Sequence, residues 1–143
     1  MLINKLSIYV DGSYNVNLFK YGSGVVVLNN NEIIKEHGFV GDDLEVAKQR
    51  NVAGEMRAAM WALKYAKENG ATCVDLYYDY IGVEAWVTGK WKAKNKYTQA
   101  YAEFMRNIIN NGLAVNFRKV KAHSNDEYND LADRLAKVAC GVN

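Results

Sequence analysis

Four acidic residues occur where a carboxylate needs a positive partner. Asp11 and Asp79 each end a largely apolar run, and a charge in such a setting is poorly solvated. Glu55 and Asp133 lie within helical apolar periodicity, so each is expected on an inward edge of its helix. Carboxylates that converge repel one another, and a hard divalent cation such as Mg²⁺ or Mn²⁺ resolves this. Two such ions, roughly 3.5–4 Å apart, are the usual device for in-line phosphodiester hydrolysis.

Each carboxylate also has an ordinary structural interpretation when it is taken alone. Asp11 and Asp79 could be turn residues at strand ends. Glu55 could simply be stabilised by the positive, N-terminal end of its helix dipole. Asp133 could pair with a neighbour such as Lys137 on its own helix. Only the combination of the four indicates a metal centre.

The elements that must position these residues alternate between two periodicities. Apolar runs with strand character predict five strands, at residues 2–11, 25–28, 32–40, 73–79 and 113–120. Helical spacing predicts helices at residues 51–70, 81–88 and 97–111, and a last helix that begins near Ser124. The order predicts an α/β fold. Its five-stranded mixed sheet has three antiparallel strands and then two parallel ones, flanked by helices.

Loops and helix starts carry their own signals. Residues 12–21 are predicted to form a loop after the first strand, and Asn51 is a plausible N-cap for the first long helix. Ser124 and Glu127 have the spacing of a capping box. The last helix has apolar positions at Tyr128, Leu131, Ala132, Leu135 and Val138.

Composition is that of an ordinary soluble globular protein. The 143 residues are 50% hydrophobic and 24% charged, which predicts one domain over residues 1–143. Cys73 and Cys140 are the only cysteines, so a disulfide framework is excluded and a cytoplasmic setting is expected. No signal peptide or membrane-spanning run is evident. The net charge of +2 is too small to indicate a nucleic-acid partner by itself.

The basic residues are nevertheless densest in one segment. Lys90, Lys92 and Lys94 alternate with Trp91 and other residues between two predicted helices. Lysines there could contact phosphates, which gives affinity without sequence preference. The ordinary alternative is a solvated run of charge.

Five motifs together resemble those of type 1 ribonuclease H. They are residues 9–13 (YVDGS), 51–58 (NVAGEMRA), 78–79 (YD), 120–124 (VKAHS) and 129–136 (NDLADRLA). Their order and approximate spacing match that family over nearly the whole chain. The resemblance implies a metal-dependent endonuclease that cuts the RNA strand of RNA–DNA hybrids and leaves 5′-phosphate and 3′-hydroxyl ends.

The resemblance also implies roles for individual residues. Asp11, Glu55, Asp79 and Asp133 would form the catalytic set and hold two Mg²⁺ ions, for which Mn²⁺ could substitute. His123 would assist proton transfer or product departure, which suits the pKa of histidine. The other histidine, His37, has no such support and is expected to be structural.

Nucleic-acid contacts follow less directly from the motifs. Asn15 and Asn51 resemble polar positions near the nucleic-acid backbone in the family, and Lys90, Trp91, Lys92 and Lys94 form a shortened basic handle. Asp79 is followed by Tyr80-Ile81, whereas the better-known bacterial pattern has Ser-Gln. Two alternatives therefore stay open: a non-catalytic hybrid-binding module, or a related nuclease with another nucleic-acid substrate. No obligate protein partner is evident, and a monomer is expected.

Overall fold

The computed structural model describes residues 4–121 and 126–142, whose strands form one mixed sheet. The strands are β1 (Lys5–Asn15), β2 (Lys20–Asn29), β3 (Glu32–Gly41), β4 (Cys73–Tyr78) and β5 (Ala114–Lys119). Their order is β3-β2-β1-β4-β5. β1 pairs antiparallel with β2, which pairs antiparallel with β3, whereas β4 runs parallel to both β1 and β5. The predicted fold class is confirmed.

Helices cover both faces of this sheet. They are α1 (Asn51–Glu68), α2 (Gly82–Thr88), α3 (Lys96–Asn110) and α4 (Glu127–Cys140), and a 3₁₀ turn (Val46–Gln49) precedes α1. The main core forms where α1 and α3 pack on the face that carries Leu6, Ile8 and Val10 of β1. α4 packs on the opposite face, against Val26 and Leu28 of β2. Within the described residues, no helix is long and apolar enough to cross a membrane.

The first strand is longer than its apolar run predicted. β1 continues through Gly12 to Asn15, and β2 already begins at Lys20, so the bounds of the predicted loop over residues 12–21 are wrong and only residues 16–19 form a turn. Gly12 and Ser13 pair with Ser23 and Gly22 of β2. Asp11 is consequently an interior residue of β1 rather than its end.

Two predicted helix starts also need correction. Asn51 is the first residue of α1, and Arg50 is the cap residue, without a side-chain capping bond. α4 begins at Glu127 and is capped by Asp126, whose carboxylate accepts hydrogen bonds from the Tyr128 and Asn129 amides. The proposed cap residue Ser124 lies outside the described residues.

The face that α4 presents to the sheet is built from small residues. Added Cβ atoms at Gly22 and Gly24 would lie 2.0 Å and 1.9 Å from the carbonyl oxygens of Ala136 and Ala132. The helix therefore lies too close to β2 for large side chains. Of the apolar positions predicted for this helix, Val138 points outward and is 69% exposed.

Candidate metal and nucleic-acid site

Asp11 lies where β1 and β4 separate. The last parallel pair between the two strands joins Tyr9 and Tyr77, and these two side chains stack. Asp11 and Asp79 each follow their tyrosine by two residues, and Asp79 comes directly after the end of β4, so both carboxylates lie where the two strands separate. The amide of Gly12 donates a hydrogen bond of 2.8 Å to Asp11 Oδ1.

Glu55 reaches this point because glycines let α1 approach the sheet closely. A Cβ atom on Gly12 would lie 2.4 Å from the Glu55 nitrogen, and one on Gly54 would lie 2.0 Å from the Gly22 carbonyl oxygen. The hydroxyl of Ser23 donates a buried 2.8 Å hydrogen bond to the Gly54 carbonyl. Sequence analysis missed the steric role of these glycines, although their small size is visible in the sequence.

Three of the four predicted carboxylates converge. Oxygen atoms of Asp11, Glu55 and Asp79 all lie within 4.8 Å of one another. Glu55 is 2% exposed, and its Oε2 is buried without a hydrogen-bond partner within the described part of the chain. An unpartnered buried carboxylate oxygen is costly. A divalent cation coordinated by these oxygens would remove that cost, so the donor set fits Mg²⁺ or Mn²⁺.

Electrostatics at this cluster favour protonated carboxyls when no cation is bound. Burial raises the pKa of Glu55 well above its usual value, and the charges of Asp11 and Asp79 raise it further. Burial likewise raises the pKa of Asp11. The hydrogen bond with the Glu55 carboxyl opposes this shift, and the charges of Asp79 and Asp133 add to it. The Gly12 amide opposes both shifts, since it stabilises the ionised forms. Bound cations would reverse these shifts.

Asp133 stands apart from the three-carboxylate cluster. Its Oδ2 forms a 2.8 Å ion pair with Lys137, one turn later on α4, and its side chain is 37% exposed. Its hydrogen bond and charge raise the pKa of Lys137. Because the charge of Asp133 also raises the pKa of Asp11, the two carboxylates lie within electrostatic range of each other. His123, which was also predicted to act in catalysis, lies outside the described residues.

Comparisons with known proteins show the family of this chain. The family model of RNase H matches residues 4–141. The Ribonuclease H of Acetivibrio thermocellus is 34% identical over 146 residues, which cover 94% of this chain and 93% of that protein. This chain belongs to the ribonuclease H family.

Solved structures show the same fold. RNase H1 from the halophilic archaeon Halobacterium salinarum superposes with a TM-score of 0.81 at 22% identity, covering 96% of this chain and 98% of that one. LC11-RNase H1 in complex with an RNA/DNA hybrid has a TM-score of 0.74 at 18% identity, covering 94% and 98% of the two chains. Family membership makes the chain a ribonuclease H enzyme.

The predicted nucleic-acid residues fall in different environments of this ribonuclease H fold. Asn15 is buried: its Nδ2 donates to the Cys140 carbonyl, and its Oδ1 accepts from the Asn17 and Leu18 amides. It therefore fastens the β1–β2 turn to the end of α4. Asn51 is exposed at the start of α1, and since it does not cap the helix, its side chain is available to a ligand.

The basic segment presents exposed cations beside an aromatic group. Lys90, Lys92 and Lys94 are exposed, and Trp91 is 41% exposed. The Trp91 ring meets Tyr80 edge-on, with ring centroids 6.1 Å apart. Trp86 completes this aromatic group, 5.9 Å from Tyr80 and 5.7 Å from Trp91.

Tyr80 links that aromatic group to the carboxylates. Burial raises the pKa of its hydroxyl, and the charge of Glu55 raises it further, so Tyr80 and Glu55 interact electrostatically. Sequence analysis treated Tyr80 only as a departure from the bacterial ribonuclease H motif. Its aromatic type, directly after Asp79, was the available signal.

Proposed function

We propose that this enzyme hydrolyses the RNA strand of RNA–DNA hybrids by a two-metal-ion mechanism and leaves 5′-phosphate and 3′-hydroxyl ends. The observation that carries the proposal is the convergence of Asp11, Glu55 and Asp79 around a buried, unpartnered Glu55 Oε2. The hybrid bound to LC11-RNase H1, which has the same fold, supports the choice of substrate.

The three clustered carboxylates would hold the metal ions, with Asp133 as a further ligand. Two divalent cations, when bound, supply a water-derived nucleophile and neutralise charge on the leaving oxygen. Glu55 is held by the backbone of α1 against β1, so its carboxylate needs little reorganisation on binding. Asp133 would have to exchange its ion pair with Lys137 for the metal, a change of partner that its exposure permits.

His123 is proposed to move a proton at the leaving oxygen or to help the product depart. An imidazole near its ordinary pKa can accept and donate protons at neutral pH. His123→Ala should lower turnover while metal binding is largely retained. If the single-turnover rate and the multiple-turnover rate of this variant each equal those of the parent, His123 has no role in the mechanism.

Substrate contacts are assigned to Asn51, Lys90, Trp91, Lys92 and Lys94. The lysines would bind phosphates, and Trp91 would offer its exposed ring surface to a sugar or a base. The 2′-hydroxyl and the helix shape distinguish hybrids from duplex DNA. Asn15 is not assigned as a substrate contact, because the nitrogen and the oxygen of its side-chain amide already form hydrogen bonds within the protein.

An end-labelled RNA–DNA hybrid tests the proposal, with duplex DNA and duplex RNA as comparison substrates. In Mg²⁺ we expect cleavage of the RNA strand of the hybrid alone, and loss of cleavage in EDTA and in Asp79→Asn. Cleavage that survives both changes would refute the metal mechanism. Preferential cleavage of duplex DNA or duplex RNA would refute the substrate assignment, and tight hybrid binding without cleavage in Mg²⁺ or Mn²⁺ would refute catalysis.

We further propose that the chain acts as a monomeric single catalytic domain without an obligate protein partner. Sedimentation at the concentrations used for the cleavage assay checks this. A stable dimer at those concentrations would contradict it.

A further inference from the structure

Asp79 lies at the junction between β4 and α2. Tyr78 is the last residue of β4, and the carbonyl of Tyr80 already accepts a hydrogen bond of 3.0 Å from the Val83 amide in the first turn of α2. Asp79 is therefore the single residue between the strand and this turn. Because a side chain turns with its own backbone, the direction of the Asp79 carboxylate depends on the angle at which α2 leaves β4.

A side-chain hydrogen bond closes this junction. The hydroxyl of Tyr78 donates to Oε1 of Glu84, which lies in the first turn of α2. The two residues are six positions apart, and Asp79 lies in the segment between them. The bond therefore fixes the first turn of α2 relative to the end of β4.

Tyr78 is itself held firmly in the core. Its side chain is fully buried, its ring meets Phe117 edge-on with centroids 6.1 Å apart, and its carbonyl accepts a 2.7 Å hydrogen bond from the Val120 amide. Burial raises the pKa of its hydroxyl, and the hydrogen bond to Glu84 raises it further, so the group stays protonated and donates at neutral pH. A buried hydroxyl that lost its acceptor would cost free energy. Tyr78 therefore provides a fixed point from which Glu84 is held.

Other side chains attach α2 to α3 rather than to the sheet. The hydroxyl of Tyr101 donates a 2.6 Å hydrogen bond to the Val83 carbonyl. The guanidinium of Arg106 donates to the Trp86 and Val87 carbonyls at 2.8 Å and 2.9 Å. These bonds leave the angle between α2 and β4 to the contact between Tyr78 and Glu84.

Glu84 also has an ordinary structural explanation. A carboxylate in the first turn of a helix is stabilised by the helix dipole, and Glu84 is the acidic residue of the first turn of α2. Within the described part of the chain it forms no ion pair. A dipole role requires the negative charge, whereas the hydrogen-bonding role requires only an acceptor oxygen. The two explanations therefore differ in what they predict for glutamine at this position.

We propose that Glu84 is a positioning residue for the metal site: by accepting the hydrogen bond of Tyr78, it holds Asp79 against the other two carboxylates of the cluster. The inference rests on the metal-binding role proposed above for Asp79. Groups that orient metal ligands increase affinity, because the ligands need less reorganisation when the ion binds. Without the bond, α2 and Asp79 can shift, so metal affinity falls although every ligand is still present.

Electron paramagnetic resonance of Mn²⁺ titrated into the full chain, without nucleic acid, tests this proposal. Glu84→Ala and Tyr78→Phe should each weaken Mn²⁺ binding at least threefold. Glu84→Gln keeps an acceptor oxygen and should bind Mn²⁺ as the parent does. The double variant Tyr78→Phe/Glu84→Ala should bind no more weakly than the weaker single variant, because both changes remove the same bond.

A destabilised control separates positioning from a general loss of structure. Asn95→Ala removes the cap of α3, whose side chain accepts hydrogen bonds from the Tyr97 and Thr98 amides at 3.0 Å and 2.9 Å. It should lower the free energy of unfolding without weakening Mn²⁺ binding. Because Glu84 is only half-buried, Glu84→Ala remains decisive even if Tyr78→Phe fails to fold.

The cleavage assay provides a second measurement on the same variants. Glu84→Ala should need at least threefold more Mg²⁺ than the parent for half-maximal cleavage of the hybrid. Its rate should approach that of the parent at saturating Mg²⁺, because no ligand has been removed. A lower rate at saturating Mg²⁺ with an unchanged Mg²⁺ requirement would contradict the positioning role.

Three results of the Mn²⁺ titration would overturn the proposal. They are parent-like Mn²⁺ affinity in Glu84→Ala, equal losses of affinity in Glu84→Gln and Glu84→Ala, and a loss of the same size in Asn95→Ala. Equal losses in the two Glu84 variants would assign this residue to the helix dipole instead.

Asp79→Asn distinguishes failure of this inference from failure of the proposed function. If the parent binds Mn²⁺ and Asp79→Asn binds it much more weakly, the metal site stands, and the Glu84 variants alone decide the positioning role. If the parent and Asp79→Asn bind Mn²⁺ equally, Asp79 is not a ligand. Both the proposed metal site and the positioning role of Glu84 are then refuted.

Discussion

The ring of Tyr9 stacks on that of Tyr77, with centroids 4.3 Å apart and planes inclined by 7°. This contact joins the last paired residues of β1 and β4, two positions before Asp11 and Asp79. The two strands separate immediately after it. The stack therefore fixes the point from which both carboxylates project towards Glu55.

Loss of this stack should loosen the metal site. Tyr77→Ala should lower the free energy of unfolding by about 2 kcal/mol, because aromatic packing and buried area are both lost. It should also raise the Mg²⁺ concentration for half-maximal cleavage several-fold. Tyr77→Phe keeps the ring and serves as the control. Urea unfolding and a Mg²⁺ titration of activity measure the two effects, and an unchanged Mg²⁺ requirement in Tyr77→Ala would contradict the positioning role.

The metal-free enzyme should lose stability as the pH rises. Burial raises the pKa of both Asp11 and Glu55 in the folded state, so the folded state binds protons more tightly than the unfolded chain. These two groups therefore contribute most to the free energy of unfolding at and below about pH 4, which is the pKa of a carboxyl group in the unfolded chain. This contribution falls as the pH rises through the folded pKa values.

Asp11→Asn tests this dependence in EDTA. The variant should be more stable than the parent at pH 8 by at least about 1.4 kcal/mol, which corresponds to one pKa unit, and the difference should shrink towards pH 5. Mg²⁺ should stabilise the parent and not the variant. Urea unfolding at both pH values measures this. A variant less stable than the metal-free parent at pH 8 would show that the cluster is not repulsive.

The close packing of α1 against the sheet should not tolerate one additional methyl group. Gly54→Ala places a Cβ atom 2.0 Å from the Gly22 carbonyl oxygen, so the helix must move outward with Glu55. We expect a loss of about 3 kcal/mol or more in unfolding free energy, and loss of cleavage. Gly70→Ala is the control, because it meets no atom within 4 Å and carries only the strain of φ +78°. Equal losses in the two variants would show that the close approach is unimportant.

Much of this architecture could be predicted from sequence because it rests on local patterns. Strand and helix periodicity predicted the five strands, the helices and the mixed pairing, and the turn at Asn30 and Asn31 uses the left-handed backbone that asparagine tolerates. Burial of Glu55 followed from its place on the apolar side of α1.

Other features depend on contacts between distant segments and were missed. Gly12 was predicted to lie in a loop, yet it lies within β1, where α1 packs so closely that a Cβ atom would have no room. Asp133 is not part of the three-carboxylate cluster and pairs instead with Lys137, an interpretation that the sequence offered only as an alternative.

The basic segment should act on substrate affinity rather than on chemistry. Replacing Lys90, Lys92 and Lys94 together by alanine should raise KM for the hybrid with little change in kcat, since exposed phosphate contacts are lost. The slope of log KM against log salt concentration should decrease by the amount expected for the loss of up to about three phosphate contacts. Steady-state kinetics at several KCl concentrations checks this, with Lys5→Ala, Lys35→Ala and Lys67→Ala combined as a charge-matched control. An unaltered salt dependence would place the hybrid elsewhere.

Anomalous diffraction from crystals soaked in Mn²⁺ tests whether the three clustered carboxylates form the metal site. We expect a manganese peak within coordination distance of oxygens from Asp11, Glu55 and Asp79, with Glu55 Oε2 as a ligand. The same soak of Asp79→Asn should show a weaker peak or none. Manganese bound elsewhere, with Glu55 Oε2 still lacking a partner, would show that these carboxylates are not the metal site.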